Sequence, residues 1–119
     1  MLNGSDFLIV TGGEYFDNGN SGIQFYSTDA IVDGAEFYGS QSTGLYAIGV
    51  RAQISNVTVH GMATGIYAAG SGSEVRDSLA YGNSTYGIRN SAGVLVTKSV
   101  AYENNYGFQG QGLFLENEA

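Results

Sequence analysis

The stretch that decides the fold runs Gly65-Ile66-Tyr67-Ala68, then Glu74-Val75-Arg76-Asp77-Ser78-Leu79-Ala80-Tyr81-Gly82-Asn83, and closes on Tyr86-Gly87-Ile88. A glycine followed by a large apolar residue opens it, and the same pair returns 22 residues later. Read outward in both directions, the pair recurs as Gly22-Ile23, Gly44-Leu45 and Gly107-Phe108, at spacings of 20 to 22 residues. A second column, Val10, Val32, Ile54, Val75 and Val96, keeps step with the first. Five residues after its members stand Tyr15, Phe37, Val59, Ala80 and Ala101, and one further stand Phe16, Tyr38, His60, Tyr81 and Tyr102. Each repeat therefore carries three short strand-like runs. Between them lie turn formers such as Asp17-Asn18-Gly19-Asn20-Ser21 and Gly82-Asn83-Ser84-Thr85.

Such runs cannot pair as hairpins inside one repeat, because equivalent side chains match one repeat later and not in mirror order. They stack strand on parallel strand about 4.8 Å apart. The sequence thus predicts an all-β chain: a right-handed, single-stranded parallel β-helix of about five coils, with 20–22 residues per coil. Residues 1–119 read as one module whose coils begin near Val10, Val32, Ile54, Val75 and Val96. Period-two alternation puts Val10, Tyr15, Ile23 and Phe25 inside the first coil, Val32, Phe37, Leu45 and Ala47 inside the second, and Ile54, Val59, Ile66 and Ala68 inside the third. The fourth offers Val75, Ala80, Ile88 and Asn90, so Asn90 needs internal amide partners. Asn56 and Asp77, two residues after their column members, are expected to bond turn backbone. Counting on from Gly107 puts Leu115 near the next column position, so the chain starts and stops at almost the same phase with no evident cap. Uncovered parallel edges are pairing templates. The expectation is either a piece of a longer solenoid or ends that meet other molecules.

Nineteen glycines beside no proline fit a chain that turns sharply at regular places. With 4 Lys and Arg against 11 Asp and Glu, the formal net charge is -7, which argues against a nucleic acid partner and against tight electrostatic holding of an anionic polymer without clustered cations or a bridging metal. The absence of cysteine excludes disulfides, thiolate metal sites and a cysteine nucleophile. No apolar run approaches a membrane span, so the chain reads as soluble and without a membrane partner, and its first residues do not form a signal peptide.

The runs Asp77-Ser78-Leu79-Ala80-Tyr81-Gly82-Asn83 before Tyr86-Gly87-Ile88, Ser99-Val100-Ala101-Tyr102-Glu103-Asn104-Asn105 before Tyr106-Gly107-Phe108, and Gly12-Gly13-Glu14-Tyr15-Phe16-Asp17-Asn18-Gly19 before Ser21-Gly22-Ile23 resemble parallel β-helix repeats. They are most similar to those of the catalytic modules of alginate (mannuronan) C-5 epimerases. The resemblance implies an extracellular or cell-surface protein that meets an acidic polysaccharide. The catalytic signature of those enzymes, an Asp-Pro-His-Asp-like stretch beside a tyrosine, is absent: the chain has no proline, and its one histidine lies in Thr58-Val59-His60-Gly61-Met62. No catalytic residue is carried over. Calcium-binding aspartate clusters of the pectate-lyase type are not apparent either.

Three sets of residues are singled out. His60, with Tyr38 and Tyr81 one coil to either side, has the chemistry for proton abstraction beside a carbonyl, a neutral imidazole as base and a phenol as acid. The alternative is an aromatic ladder, worth about 0.5–1.5 kcal/mol per contact. Glu14 and Glu36 are expected to stack outward as two carboxylates that could hold a cation such as calcium, although no cofactor is required, or serve glycoside hydrolysis. Two hydrated surface charges are the alternative. Gln24, Tyr46, Tyr67, Arg89 and Gln109 form one outward stripe of aromatics, amides and a cation suited to carbohydrate, against the alternative of an ordinary strand face. Arg51, Arg76 and Lys98 look too scattered to form a patch.

The first functional expectation is a carbohydrate-associated module of a polysaccharide-binding or polysaccharide-modifying protein, with a polysaccharide or oligosaccharide as partner. The second is a structural solenoid that stacks head to tail through its open ends. The third is a small polysaccharide lyase or epimerase using His60.

Overall fold

A computed structural model describes residues 8–16, 22–39 and 42–118. The first coil holds β1 (Ile9–Thr11), β2 (Glu14–Phe16) and β3 (Ile23–Phe25); the second β4 (Ile31–Asp33), β5 (Glu36–Tyr38) and β6 (Thr43–Ala47). The third holds β7 (Gln53–Ser55), β8 (Thr58–His60) and β9 (Thr64–Ala68); the fourth β10 (Glu74–Arg76), β11 (Leu79–Tyr81) and β12 (Tyr86–Asn90). The fifth holds β13 (Leu95–Thr97), β14 (Val100–Tyr102) and β15 (Tyr106–Gly110), and β16 (Leu113–Leu115) opens a further turn. Strands of the same rank pair in parallel, which gives a right-handed coil of three sheets. Sheet A is β1-β4-β7-β10-β13-β16, sheet B is β2-β5-β8-β11-β14, and sheet C is β3-β6-β9-β12-β15. Val10, Val32, Ile54, Val75 and Val96 stand in one register along sheet A.

The corner between sheets A and B is a left-handed residue in each coil, followed in the first coil by a second, Gly13. Gly12, Gly34, Asn56, Asp77, Lys98 and Glu116 all have φ between 51° and 79°. A side chain in this region costs on the order of 1 kcal/mol, so the coil retains Asn56, Asp77, Lys98 and Glu116 there only because the stack over-determines the bend. At this corner the amide of Gly34 donates to the carbonyl of Ser55 (3.2 Å) and that of Asp77 to Thr97 (3.3 Å), which carries the ladder around the turn. Contrary to expectation, no hydrogen bond among the described residues joins the Asn56 or Asp77 side chain to turn backbone; Asn56 Nδ2 donates instead to Asp33 Oδ1 (3.0 Å). The next residue does that work. Ser78 Oγ accepts from Val57 N, Ser99 Oγ from Ser78 N, and Asn117 Oδ1 from Ser99 N.

Inside the coil, Phe25, Phe37, Leu45, Ile66 and Ile88 have no exposed surface, each burial contributing about 1.5–3 kcal/mol. Glycine is required where Phe37 fills the core, because a Cβ on Gly22 or Gly44 would drive into its ring or the neighbouring Val59. Val10, Tyr15 and Ile23 of the first coil are half-buried against this core. Asn90 is 3% exposed and has its amide partners: Oδ1 accepts from Gly112 N (3.0 Å) and Nδ2 donates to Val94 O (3.2 Å). After sheet B, a second internal ladder joins three coils. Asn83 Oδ1 accepts from Met62 N (3.0 Å), Asn104 Oδ1 accepts from Asn83 N (3.0 Å) and Nδ2 (2.9 Å), and Asn104 Nδ2 donates to Ala80 O (3.0 Å).

The last coil corrects the phase expected from the sequence. Phe114, not Leu115, stands opposite Val96, while Leu115 pairs with Thr97 and is exposed. Two residues separate β15 from β16 where four separate β12 from β13, so counting on from Gly107 overshoots Phe114. Phe114 then meets Phe108 edge-on at 5.6 Å and refills the narrowing interior.

Candidate functional site

Two outward faces and one groove hold the chemistry-bearing side chains. On sheet C, Gln24, Tyr46, Tyr67, Arg89 and Gln109 stand in one register, one residue per coil. Tyr46 and Tyr67 lie parallel, with ring centroids 4.8 Å apart. The Arg89 guanidinium carbon sits 4.7 Å above the Tyr67 ring and 5.0 Å from the Tyr86 ring. Tyr67 is thus covered on both faces. What it offers outward is its edge and its hydroxyl, which lies 3.5 Å from Ser91 Oγ. Burial, then the neighbouring Tyr67 phenol, pushes the Tyr46 hydroxyl above its ordinary pKa.

Arg89 makes no ion pair among the described residues, and its stacked planar faces leave the in-plane N–H groups for hydrogen bonding. A recess of about 250 Å³ opens beside it, lined in part by Tyr67, Ser91 and Gln109. The Gln109 Oε1 atom itself is buried and has no hydrogen-bond donor among the described residues. Tyr86 and Tyr106 share this sheet in register, and neither is evident from the stripe alone. Their signal in the sequence is the Tyr-Gly-apolar triplet: strict alternation would put these tyrosines inside with Ile88 and Phe108, and the break at the glycine turns them to the outer face.

On sheet B, the rings of Phe16, Tyr38, His60, Tyr81 and Tyr102 form one continuous stack, with successive centroids 4.8–5.2 Å apart and planes within 9°. His60 therefore has Tyr38 on one face and Tyr81 on the other. Its Nε2 pairs with Glu36 Oε2 at 2.9 Å, and the Tyr38 hydroxyl donates to Glu14 Oε1 at 3.4 Å. Glu14 and Glu36 are adjacent in register, as their spacing requires, but each carboxylate is turned toward a ring one coil on. The cross-coil partners are 24 residues apart, one 22-residue repeat plus the two-residue step between neighbouring outward positions on a strand. That offset was readable in the sequence once the repeat length was known. Among the described residues no three His, Cys, Asp or Glu side chains gather as a metal site.

The groove lies on sheet A. It encloses about 510 Å³ and is bordered by Asp29, Asp33, Arg51, Gln53, Glu74 and Arg76. Two of the three cations expected to be scattered, Arg51 and Arg76, thus face one cleft, while Lys98 sits at the corner between sheets A and B. Arg51 Nε donates to Asp29 Oδ1 at 2.7 Å, and this bond holds the exposed Asp29 carboxyl below its ordinary pKa.

A coil of three parallel sheets with polar and aromatic ladders on its outer faces defines a solenoid scaffold. Consistent with that architecture, the whole chain, residues 1–119, matches the family described as the right handed beta helix region, and the protein belongs to that family. No curated protein and no solved structure matches the chain.

Proposed function

We propose that the chain is a carbohydrate-associated β-helix module that binds a polysaccharide along the outer face of sheet C. The observation that carries this reading is the Tyr46–Tyr67–Arg89 ladder, with Gln109 next in its register. It supplies phenol hydroxyls, guanidinium N–H groups and amides at one-coil intervals along a straight line, the arrangement an extended chain of hydroxyl-bearing rings can follow. Ring-face stacking is not the mode, because the faces of Tyr67 are already occupied. Recognition runs instead through hydrogen bonds from the edges of the ladder. With a net charge of -7 and a single cation in the ladder, a neutral or sparsely charged glycan suits the face better than a dense polyanion.

We place binding ahead of proton abstraction by His60, whose faces and Nε2 are engaged by Tyr38, Tyr81 and Glu36. A cation held between Glu14 and Glu36 would have to compete with the Tyr38 hydroxyl and the His60 ring for those carboxylates. An extracellular or cell-surface setting accompanies this reading.

Titration calorimetry with oligomers of alginate, pectin and neutral glucans tests it. At least one oligomer should bind, and Tyr46→Ala, Tyr67→Ala and Arg89→Ala should each weaken binding about tenfold, equivalent to about 1.4 kcal/mol. Absence of heat with every oligomer, or unchanged affinity in all three variants, refutes the assignment.

A further inference from the structure

The charges of this protein are unevenly placed. Of its 11 Asp and Glu, none falls in a strand of sheet C. Sheets A and B carry acids within their strands, Asp33 and Glu74 on one, Glu14 and Glu36 on the other. Of the 4 Lys and Arg, three stand beside carboxylates: Arg51 is bonded to Asp29, Arg76 shares the sheet A groove with Asp33 and Glu74, and Lys98 takes the corner position between those of Asp77 and Glu116. Arg89 is the exception. It is half-buried, makes no ion pair among the described residues, and borders a recess whose lining holds no Asp or Glu. A partly desolvated cation with no counter-charge gains from an anion that a ligand brings to it.

We propose that the recess beside Arg89 seats the carboxylate of a uronic-acid residue, so that the sheet C face selects an otherwise neutral glycan chain with isolated acidic rings. This rests on the reading of sheet C as a glycan-binding face and names the residue that sets its preference. The Arg89 guanidinium lies 4.7 Å from the centre of the Tyr67 ring and 5.0 Å from that of Tyr86. Its side chain is therefore ordered before a ligand arrives, and little rotamer freedom is lost on pairing. The planar fork of N–H groups matches the two coplanar oxygens of a carboxylate. At the same recess the Tyr67 and Ser91 hydroxyls, 3.5 Å apart, can donate to that anion or bond the sugar hydroxyls beside it. The recess encloses about 250 Å³. That is below the roughly 300–1,000 Å³ of pockets that enclose a whole small ligand, so it suits one ring of a chain lying along the sheet. Arg89 is flanked in register by Tyr67 and Gln109, neither of them charged. A polymer acidic at every ring would set its other carboxylates against uncharged positions on a protein of net charge -7, a repulsion that one isolated uronate avoids.

Calorimetry with two glucose oligomers of equal length, one neutral and one with a single C6 carbon oxidised to a carboxylate, tests the proposal. The carboxylate should tighten binding to the unaltered chain about tenfold. Arg89→Gln, which places at this register the residue already found there in the first and fifth coils, should bind the two oligomers alike. Circular dichroism verifies that the variant keeps its strands. In parallel, methyl glucuronoside and its uncharged amide are titrated while the Arg89 Nε signal is followed by nitrogen-15 NMR; the glucuronoside should move the signal and the amide should not. Equal affinity of the two oligomers for the unaltered chain, or a preference that persists in Arg89→Gln, overturns the carboxylate seat and leaves the glycan-binding face standing. An Arg89 signal that moves with the glucuronoside while neither oligomer binds supports the seat and counts against the extended face. An Arg89 signal that the glucuronoside leaves unmoved overturns the seat.

Discussion

Replacing Asn83 by alanine tests the physics that locks neighbouring coils together. The side chain is 2% exposed and spans three coils: its Oδ1 accepts from Met62 N, and its Nδ2 donates to Asn104 Oδ1 at 2.9 Å and reaches Val59 O at 3.5 Å. Alanine removes the acceptor of a buried backbone N–H and the side-chain donor to Asn104. A hydrogen bond of this kind contributes about 1 kcal/mol net, and a buried donor left without a partner costs about 1–3 kcal/mol. The expected loss is therefore about 3 kcal/mol. Against a total stability of about 5–15 kcal/mol for a domain, that is a large fraction, and it should lower the melting temperature by roughly 10 °C. Urea denaturation followed by circular dichroism reads the free energy directly, with Ser84→Ala, at the adjacent exposed position, as a control expected to change stability by less than about 0.5 kcal/mol. A loss below about 1 kcal/mol for Asn83→Ala would refute the ladder as a stabilising element.

Lys98 occupies the left-handed corner with φ of 51°, so Lys98→Gly should raise stability by about 0.5–1 kcal/mol, read as a higher urea midpoint. A Cβ at Gly70 would run into the backbone carbonyls of Gly49 and Ile48 in the coil below, where no side chain can yield; Gly70→Ala should cost about 1–3 kcal/mol in the same assay. Phe37→Ala empties the centre of the core and should cost about 3–5 kcal/mol, enough to leave the chain partly unfolded at 37 °C by circular dichroism. Asp29 should titrate below the ordinary carboxylate range by carboxyl NMR and return to it in Arg51→Gln. Because its folded pKa is lowered, the stability linked to this pair is present above the unfolded pKa of Asp29 and lost as pH falls through the lowered folded value.

Much of the fold was legible because a parallel solenoid writes its geometry into the chain as a period. Two columns in phase fix which residues stack, and period-two alternation then assigns the core: Val32, Phe37, Leu45, Ile66 and Ile88 are all buried. The sheet C stripe and the sheet B aromatic column could be read for the same reason. The phase at Leu115 could not, because it depends on the length of one turn. Nor could the uses of Asn56 and Asp77, since a left-handed corner favours Asn and Asp for their tolerance of positive φ as much as for their hydrogen bonds. Tyr86 escaped the stripe because the glycine after it hides the direction of its side chain.

The sequence by itself determined the periodicity, and with it the parallel three-sheet coil and the registers of the first five coils, because each side chain's neighbour in such a stack lies one repeat away. Only the tertiary structure decided what those neighbours do to one another. Parallel rings at one-coil spacing cover each other's faces, so Tyr67 and His60 present edges and not faces to solvent. The tilt of each side chain along the axis, set by packing, directs Glu36 to His60 and Arg89 to Tyr67. The repeat length puts Glu36 and His60 within reach of one another, but which of the neighbouring groups each side chain turns to is decided by packing.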